Sequence, residues 1–199
     1  MPSELFELAD RFLPSYLLPG TRRRLLEQID SFPHTRGYYS AISTPDYLQG
    51  DGWTGFIVFN FISGERRSVR GLVISNSCDV AAENSTVSGQ RVVFAPVIRL
   101  ERFEALLKTS DRTEQQVQST IDALKKQHIN NAFYLPQCAA IPESLILLDD
   151  LHSVPLDYFW AAEKTRLFRL SDFGFWLFLL KLSIHLTRLH EEVERGELA

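Results

Sequence analysis

The sequence predicts an α+β fold built on a small antiparallel β-barrel. Three extended strings, WTGFIVFNF, SVRGLVISN and QRVVFAPVIRL, follow one another from Gly50, each rich in Val, Ile and Phe and bounded by turn residues. Segments of helical period stand before, between and after the extended ones. No internal repeat, low-complexity tract or Gly/Ser linker divides the chain, so residues 1–199 are expected as a single domain. Within it, 1–49 is a helical extension, 50–158 the barrel with a helical insertion at 111–128, and 159–199 a C-terminal helical region.

In chain order, Ser3 caps a first short helix in which Leu5, Leu8 and Phe12 recur at helical spacing before Pro14 stops it. A second helix follows Thr21, with Leu25, Leu26 and Ile29 facing inward and Arg22, Arg23 and Arg24 read as a solvated cluster. Ser63 to Glu65 is the expected turn of the first hairpin, and Ala81 to Gly89 a longer polar loop. In the insertion Val117, Ile121 and Leu124 share one helical face, and Thr113 with Gln116 offers a capping box. Extended character returns in FYLP and in SLILLDDLHSV. After Ser171 a long helix closes the chain, with Leu182, Leu186, Leu189 and Val193 on one stripe and Lys181, His185, Arg188 and Glu192 on the opposite, solvated one.

Composition bounds the function. The chain carries 25 Asp and Glu against 21 Lys and Arg, a net charge of −4, so contact with a phosphate backbone requires a local basic patch. The first residues lack the basic and apolar regions of an export signal, no apolar run is long enough to span a bilayer, and two cysteines do not make a disulfide framework. A cytoplasmic protein with no membrane partner is expected. His34, His128, His152, His185 and His190 show no metal-ligand spacing, and Gly50 to Gly55 lacks the ending of a phosphate loop, so neither metal nor cofactor is expected.

Four fragments occur in an order that resembles the MazF/PemK family of toxin ribonucleases, which are small SH3-like barrels. They are Gly50 and Asp51; Val69, Arg70, Gly71, Leu72, Val73, Ile74, Ser75 and Asn76; Phe94, Ala95, Pro96, Val97 and Ile98; and Ser144 through Asp149, Asp150, Leu151, His152, Ser153 and Val154. The resemblance implies a toxin-like barrel, RNA as a partner, and Arg70 in the place of the family's RNA-cleaving arginine. Where the family has a catalytic threonine this chain has Ile98, and where it has a proline after the arginine it has Gly71. Isoleucine neither donates a hydrogen bond to a phosphate nor carries a proton.

Three readings follow. In the first, the barrel is catalytically silent and works as a protein-interaction or regulatory module in a toxin-antitoxin or defence system. In the second, it is a toxin-like endoribonuclease or RNA-binding protein anchored by Arg70, whose planar fork binds two oxygens at once. In the third, it is a cysteine-dependent enzyme. There Cys78, next to Asp79 at a strand end, would draw a base from His152 and a positive field from Arg70. The plainer alternatives are a salt bridge from Arg70 to Asp51, Asp79 or Glu83, and a buried Cys78 with Asp79 bonding the turn's amides. Asp149 and Asp150, read as neighbours in one strand, point to opposite faces. Phe173 and Phe175 to Leu180 are apolar nearly all round the last helix, so a homodimer or protein partner is expected near Trp176.

Overall fold

The computed structural model describes residues 37–41, 44–81 and 89–187. The two helices expected before residue 37, most of the polar loop at 81–89, and Arg188, Leu189, Glu192 and Val193 of the last helix lie outside the described residues.

The fold is α+β with antiparallel sheets. Strands β1 (Gly52–Phe59) and β2 (Arg66–Val73) form a hairpin and are followed by a single turn of helix, α1 (Ser77–Val80). Strands β3 (Arg91–Pro96) and β4 (Ile98–Arg99) lead into helices α2 (Leu100–Lys108) and α3 (Glu114–Lys125). Then come β5 (Ala132–Leu135), β6 (Ser144–Leu147), β7 (His152–Pro155), α4 (Leu156–Ala161), β8 (Arg166–Phe168) and α5 (Asp172–Thr187). One sheet has the order β7-β3-β2-β1-β8 and the other β4-β6-β5. Among the described residues the larger sheet stays open between β7 and β8, and β4, β6 and β5 form a second sheet. The switch between them falls at Pro96–Val97. Proline has no N–H to donate, the Val97 amide makes the last bond to β2 at the Arg70 carbonyl (2.8 Å), and Ile98 then pairs with Leu145.

Both faces of the larger sheet are covered. Trp53, Phe56, Val73, Val92, Phe94 and Val154 pack with Leu156 and Phe159 of α4 on one side. Leu72 and Ala95 join Phe133, Ile146, Phe168 and the inner face of α5 on the other. A third cluster fixes α2 and α3 on the small sheet through Leu100, Val117, Ile121, Leu124 and Leu145. In β1 the register shifts between Trp53 and Phe56, where Gly55 takes φ +86, a left-handed bulge position that suits glycine.

The inserted helix forms where the sequence places it, and its capping box is complete. The Thr113 hydroxyl accepts from the Gln116 amide, and the Gln116 side chain accepts from the Thr113 amide. Three expectations are corrected. SLILLDDLHSV is two strands, β6 and β7, and Asp149 and Asp150 sit at the turn between them rather than on opposite faces of one strand. The region expected to be helical after 159 contains β8, which pairs with β1. Lys181 is buried rather than solvated, its Nζ donating to the carbonyls of Gln127 (2.8 Å) and Ile129 (2.7 Å). The sequence reading also lacks α2, whose Leu100, Phe103 and Leu107 nevertheless recur at helical spacing. Along α5, Phe173, Leu177, Phe178 and Leu180 are buried, while Phe175, Trp176 and Leu179 are half-buried against the same core.

Gly71 has no room for a side chain. A Cβ there would stand 2.6 Å from Phe56 Cδ2 and 2.7 Å from Phe94 Cδ2, two buried rings stacked with centroids 4.1 Å apart. Alanine at this position is expected to cost about 1–3 kcal/mol, the usual range for overfilling a packed core. Denaturant titration should show the loss as a lower midpoint at unchanged slope. A Gly71→Ala protein as stable as the parent would mean that the rings do not press on β2.

Candidate functional site

A cleft of about 1080 Å³ opens where the β1–β2 hairpin, the Pro96–Arg102 segment, the 137–142 loop and the β6–β7 turn converge. The wall formed by the 137–142 loop is fixed by hydrogen bonds. The Leu100 amide donates to the Glu143 carbonyl (2.9 Å), the Cys138 amide to the Ile141 carbonyl (2.9 Å), and the Tyr39 hydroxyl to the Pro136 carbonyl (2.6 Å). Glu143 in turn bonds Lys125 (2.8 Å) and accepts from the Tyr134 hydroxyl, so α3 and β5 brace the floor of the 137–142 loop. Those two partners outweigh the effect of burial and hold the Glu143 carboxyl below its ordinary value.

Four arginines line the cleft: Arg67 and Arg70 from β2, Arg99 from β4 and Arg102 from the first turn of α2. All four are exposed, and among the described residues none makes an ion pair or a side-chain hydrogen bond. Most arginines elsewhere in the described chain are engaged, Arg91 with Ser153, Arg112 with Thr120, Arg166 with the Thr44 carbonyl and Arg169 with Asp51, while Arg66 stands exposed outside the cleft. The salt bridge from Arg70 to Asp51 is therefore absent, because Asp51 is taken by Arg169. Guanidiniums gathered without counter-charge repel one another, and the arrangement favours an anion that each can grip with two N–H groups.

The cleft's carboxylate is Asp150, and it is occupied. Its Oδ1 lies 2.9 Å from His152 Nε2, and the His152 ring stacks on Phe94 with centroids 5.8 Å apart. A carboxylate only accepts, so the bond places a proton on Nε2 and leaves Nδ1 as the uncommitted nitrogen. Arg70 and His152 thus line one cleft from different strands, together with Ile98, which presents no hydroxyl. Cys78 and Asp79 do not line it. They are exposed on α1, where the Asn76 side chain, not that of Asp79, accepts the Cys78 amide (3.0 Å). The cysteine that does line the cleft is Cys138, which is half-buried.

Arg67, Arg99, Arg102, Asp150 and Cys138 are the residues that sequence reasoning missed. They come from separate elements, and the basic strings ERRSVR and VIRLER signal the arginines alone. Among the described residues no group of His, Cys, Asp or Glu side chains is clustered to hold a metal, and no helix is long and apolar enough to cross a membrane.

No protein-family model matches the chain, and no curated protein matches it. Among solved structures, it is similar to a crystal structure of MazE-MazF from Deinococcus radiodurans, at 15% identity and a TM-score of 0.35, over 75% of this chain and 98% of that one.

Proposed function

We propose that the cleft binds the phosphate backbone of single-stranded RNA and that the domain holds this strand without cutting it. The observation that carries the reading is the set of four unpartnered arginines in one cleft of a chain whose net charge is −4. Local cationic character against an acidic whole is the electrostatic footprint of a backbone contact. Phe59, also part of the lining, supplies an aromatic face of the kind on which unpaired bases stack. The choice of RNA over DNA comes from the sequence resemblance. Ile98, in the position of the family's hydroxyl, supports binding over cleavage.

Fluorescence anisotropy of a labelled RNA oligonucleotide across a salt series tests this. Four phosphate contacts on a single strand predict a slope of log K against log salt near about −3, with roughly 0.7 per contact. Arg70→Gln and Arg102→Gln should each weaken binding to all sequences alike and make the slope shallower by about that much. Salt-independent binding, or a double variant that binds like the parent, would refute the assignment.

A second reading, cleavage, is favoured by the Asp150-held His152 in the same cleft. A histidine so oriented suits a general base toward a ribose 2′-hydroxyl, with Arg70 stabilising charge on the phosphate. The same oligonucleotide run on a gel separates the two. Intact RNA supports holding, whereas site-specific products that vanish in both Arg70→Ala and His152→Ala would make the protein a nuclease.

A further inference from the structure

The β1–β2 hairpin ends in an apolar tip that neither the core nor the cleft absorbs. Phe61 is 88% and Ile62 99% exposed, with Phe59 at 42% just behind them and in edge contact with Phe61. Other large exposed apolar residues, Leu106, Tyr158 and Leu186, belong to separate elements. The tip is also stiff. Asn60 Oδ1 accepts from the amides of Ile62 (2.9 Å) and Ser63 (3.2 Å), the Asn60 carbonyl accepts from Gly64 (2.8 Å), and the Asn60 amide donates to the Glu65 carbonyl (2.9 Å). The two side chains are held outward at little further entropic cost on binding.

Behind the tip stands positive charge. Arg66 pairs across the hairpin with Phe59, and Arg67 with Val58. Both arginines are exposed, and neither makes an ion pair or side-chain hydrogen bond among the described residues. Phe61 and Ile62 lie two and three residues beyond the Phe59–Arg66 pair. Both lie in the turn past that pair, so the apolar tip stands ahead of the two arginine positions along the hairpin, the order that contact with acyl chains and headgroups requires. We infer that this hairpin tip docks on an anionic membrane surface, with Phe61 and Ile62 entering the boundary and Arg66 and Arg67 at the level of the lipid phosphates.

Two observations favour a lipid surface over other occupants. Two side chains on a convex tip offer far less than the roughly 800 Å² per partner of a stable protein interface, whereas a bilayer receives a convex tip without a matching pocket. Neither Phe61 nor Ile62 lines the arginine cleft, and isoleucine has no ring face for a base. A surface contact needs no spanning helix, and none of the described helices is long and apolar enough to be one. The inference shares Arg67 with the RNA reading but rests on Phe61 and Ile62, which lie outside the cleft.

The test is co-sedimentation of the full chain with vesicles of phosphatidylcholine alone and of phosphatidylcholine with an equal part of phosphatidylglycerol. Binding should be confined to the anionic vesicles. Phe61→Ser with Ile62→Ser should lower the partition coefficient about tenfold or more, as loss of two inserted apolar side chains implies. Arg66→Gln with Arg67→Gln should lower it and flatten its salt dependence. Because all four side chains are exposed, the variants should melt like the parent, and Ile62→Trp should gain blue-shifted emission only with anionic vesicles. Failure of the parent to sediment with anionic vesicles overturns the inference, and so does equal sedimentation of the Phe61→Ser, Ile62→Ser protein. Loss of RNA affinity in that variant at unchanged vesicle binding would reassign the tip to nucleic acid.

Discussion

Asp51→Asn should destabilise the protein by roughly 3–5 kcal/mol, because it leaves a buried guanidinium without its counter-charge. Asp51 is 1% exposed, and Arg169 grips it with Nε on Oδ1 (3.0 Å) and a terminal nitrogen on Oδ2 (2.8 Å). The same guanidinium donates to the Thr44 hydroxyl and to the Asp46 carbonyl, and the Leu48 amide adds a bond to Asp51 Oδ2 (3.3 Å). Burial pushes the Asp51 carboxyl up, with Arg169 opposing it, while Asp51 holds the Arg169 proton more firmly. One ion pair thus ties the entrance of β1 to the exit of β8 and to the 44–48 segment. Asparagine keeps the shape and loses the charge. A denaturant series on Asp51→Asn, Arg169→Gln and the double variant checks the cause, since the double should cost well under the sum of the singles. A single Asp51→Asn within about 1 kcal/mol of the parent would refute a charge-bearing pin.

That pin also shows what was legible in the sequence. Gly50 and Asp51 stand out as the opening of the β region, but spacing offers Arg70 as a partner as readily as Arg169, which is 118 residues away. Period is local and pairing is not. The capping box of α3 and the apolar strings of β1, β2 and β3 need only neighbours a few residues off, and they form where they are expected. The open edge of the larger sheet, the small sheet and β8 depend on which strands meet, and a three-residue strand such as β8 leaves almost no pattern to read.

The site divides the same way. Arg70 and His152 are visible one at a time, through motif order and residue chemistry. Their shared cleft exists only once β3 has paired with both β2 and β7. Cys78 is the opposite case. A position after a strand suggests a reactive thiol, yet α1 carries it outside the cleft, and Cys138, from a loop with no periodic signal, lines the wall instead.

Lys181 misled the helical wheel because polar spacing cannot distinguish solvent from a buried carbonyl. It is 2% exposed, and its ammonium closes the turn after α3, where Gln127 sits at φ +60 and its side-chain amide pairs with both backbone groups of Tyr134 on the edge strand β5. Burial pulls the Lys181 amine down to about 7, from an ordinary value of 10.5. Between those values the unfolded chain holds a proton that the native chain has released, so stability should rise with pH across that window. Below about 7 both states are protonated and the cost of burying the ion is complete; above about 10.5 it is gone. One proton of difference sets an upper slope of about 1.4 kcal/mol per pH unit. The two carbonyl bonds, which favour the charged form, make it shallower. Tyr38 and Tyr134, which are buried, and half-buried Tyr39, all held above their ordinary values by burial, reverse the trend as pH passes 10, so the informative range is pH 7 to 9.5. Lys181→Met takes the donor from the Gln127 carbonyl, at about 1–3 kcal/mol, while the Ile129 carbonyl keeps the Ala132 amide (3.3 Å). It should be less stable than the parent at pH 9.5, and the gap should narrow toward pH 7. Urea titrations of both proteins across that range decide the matter: a difference that does not change with pH would mean that Lys181 keeps its proton throughout.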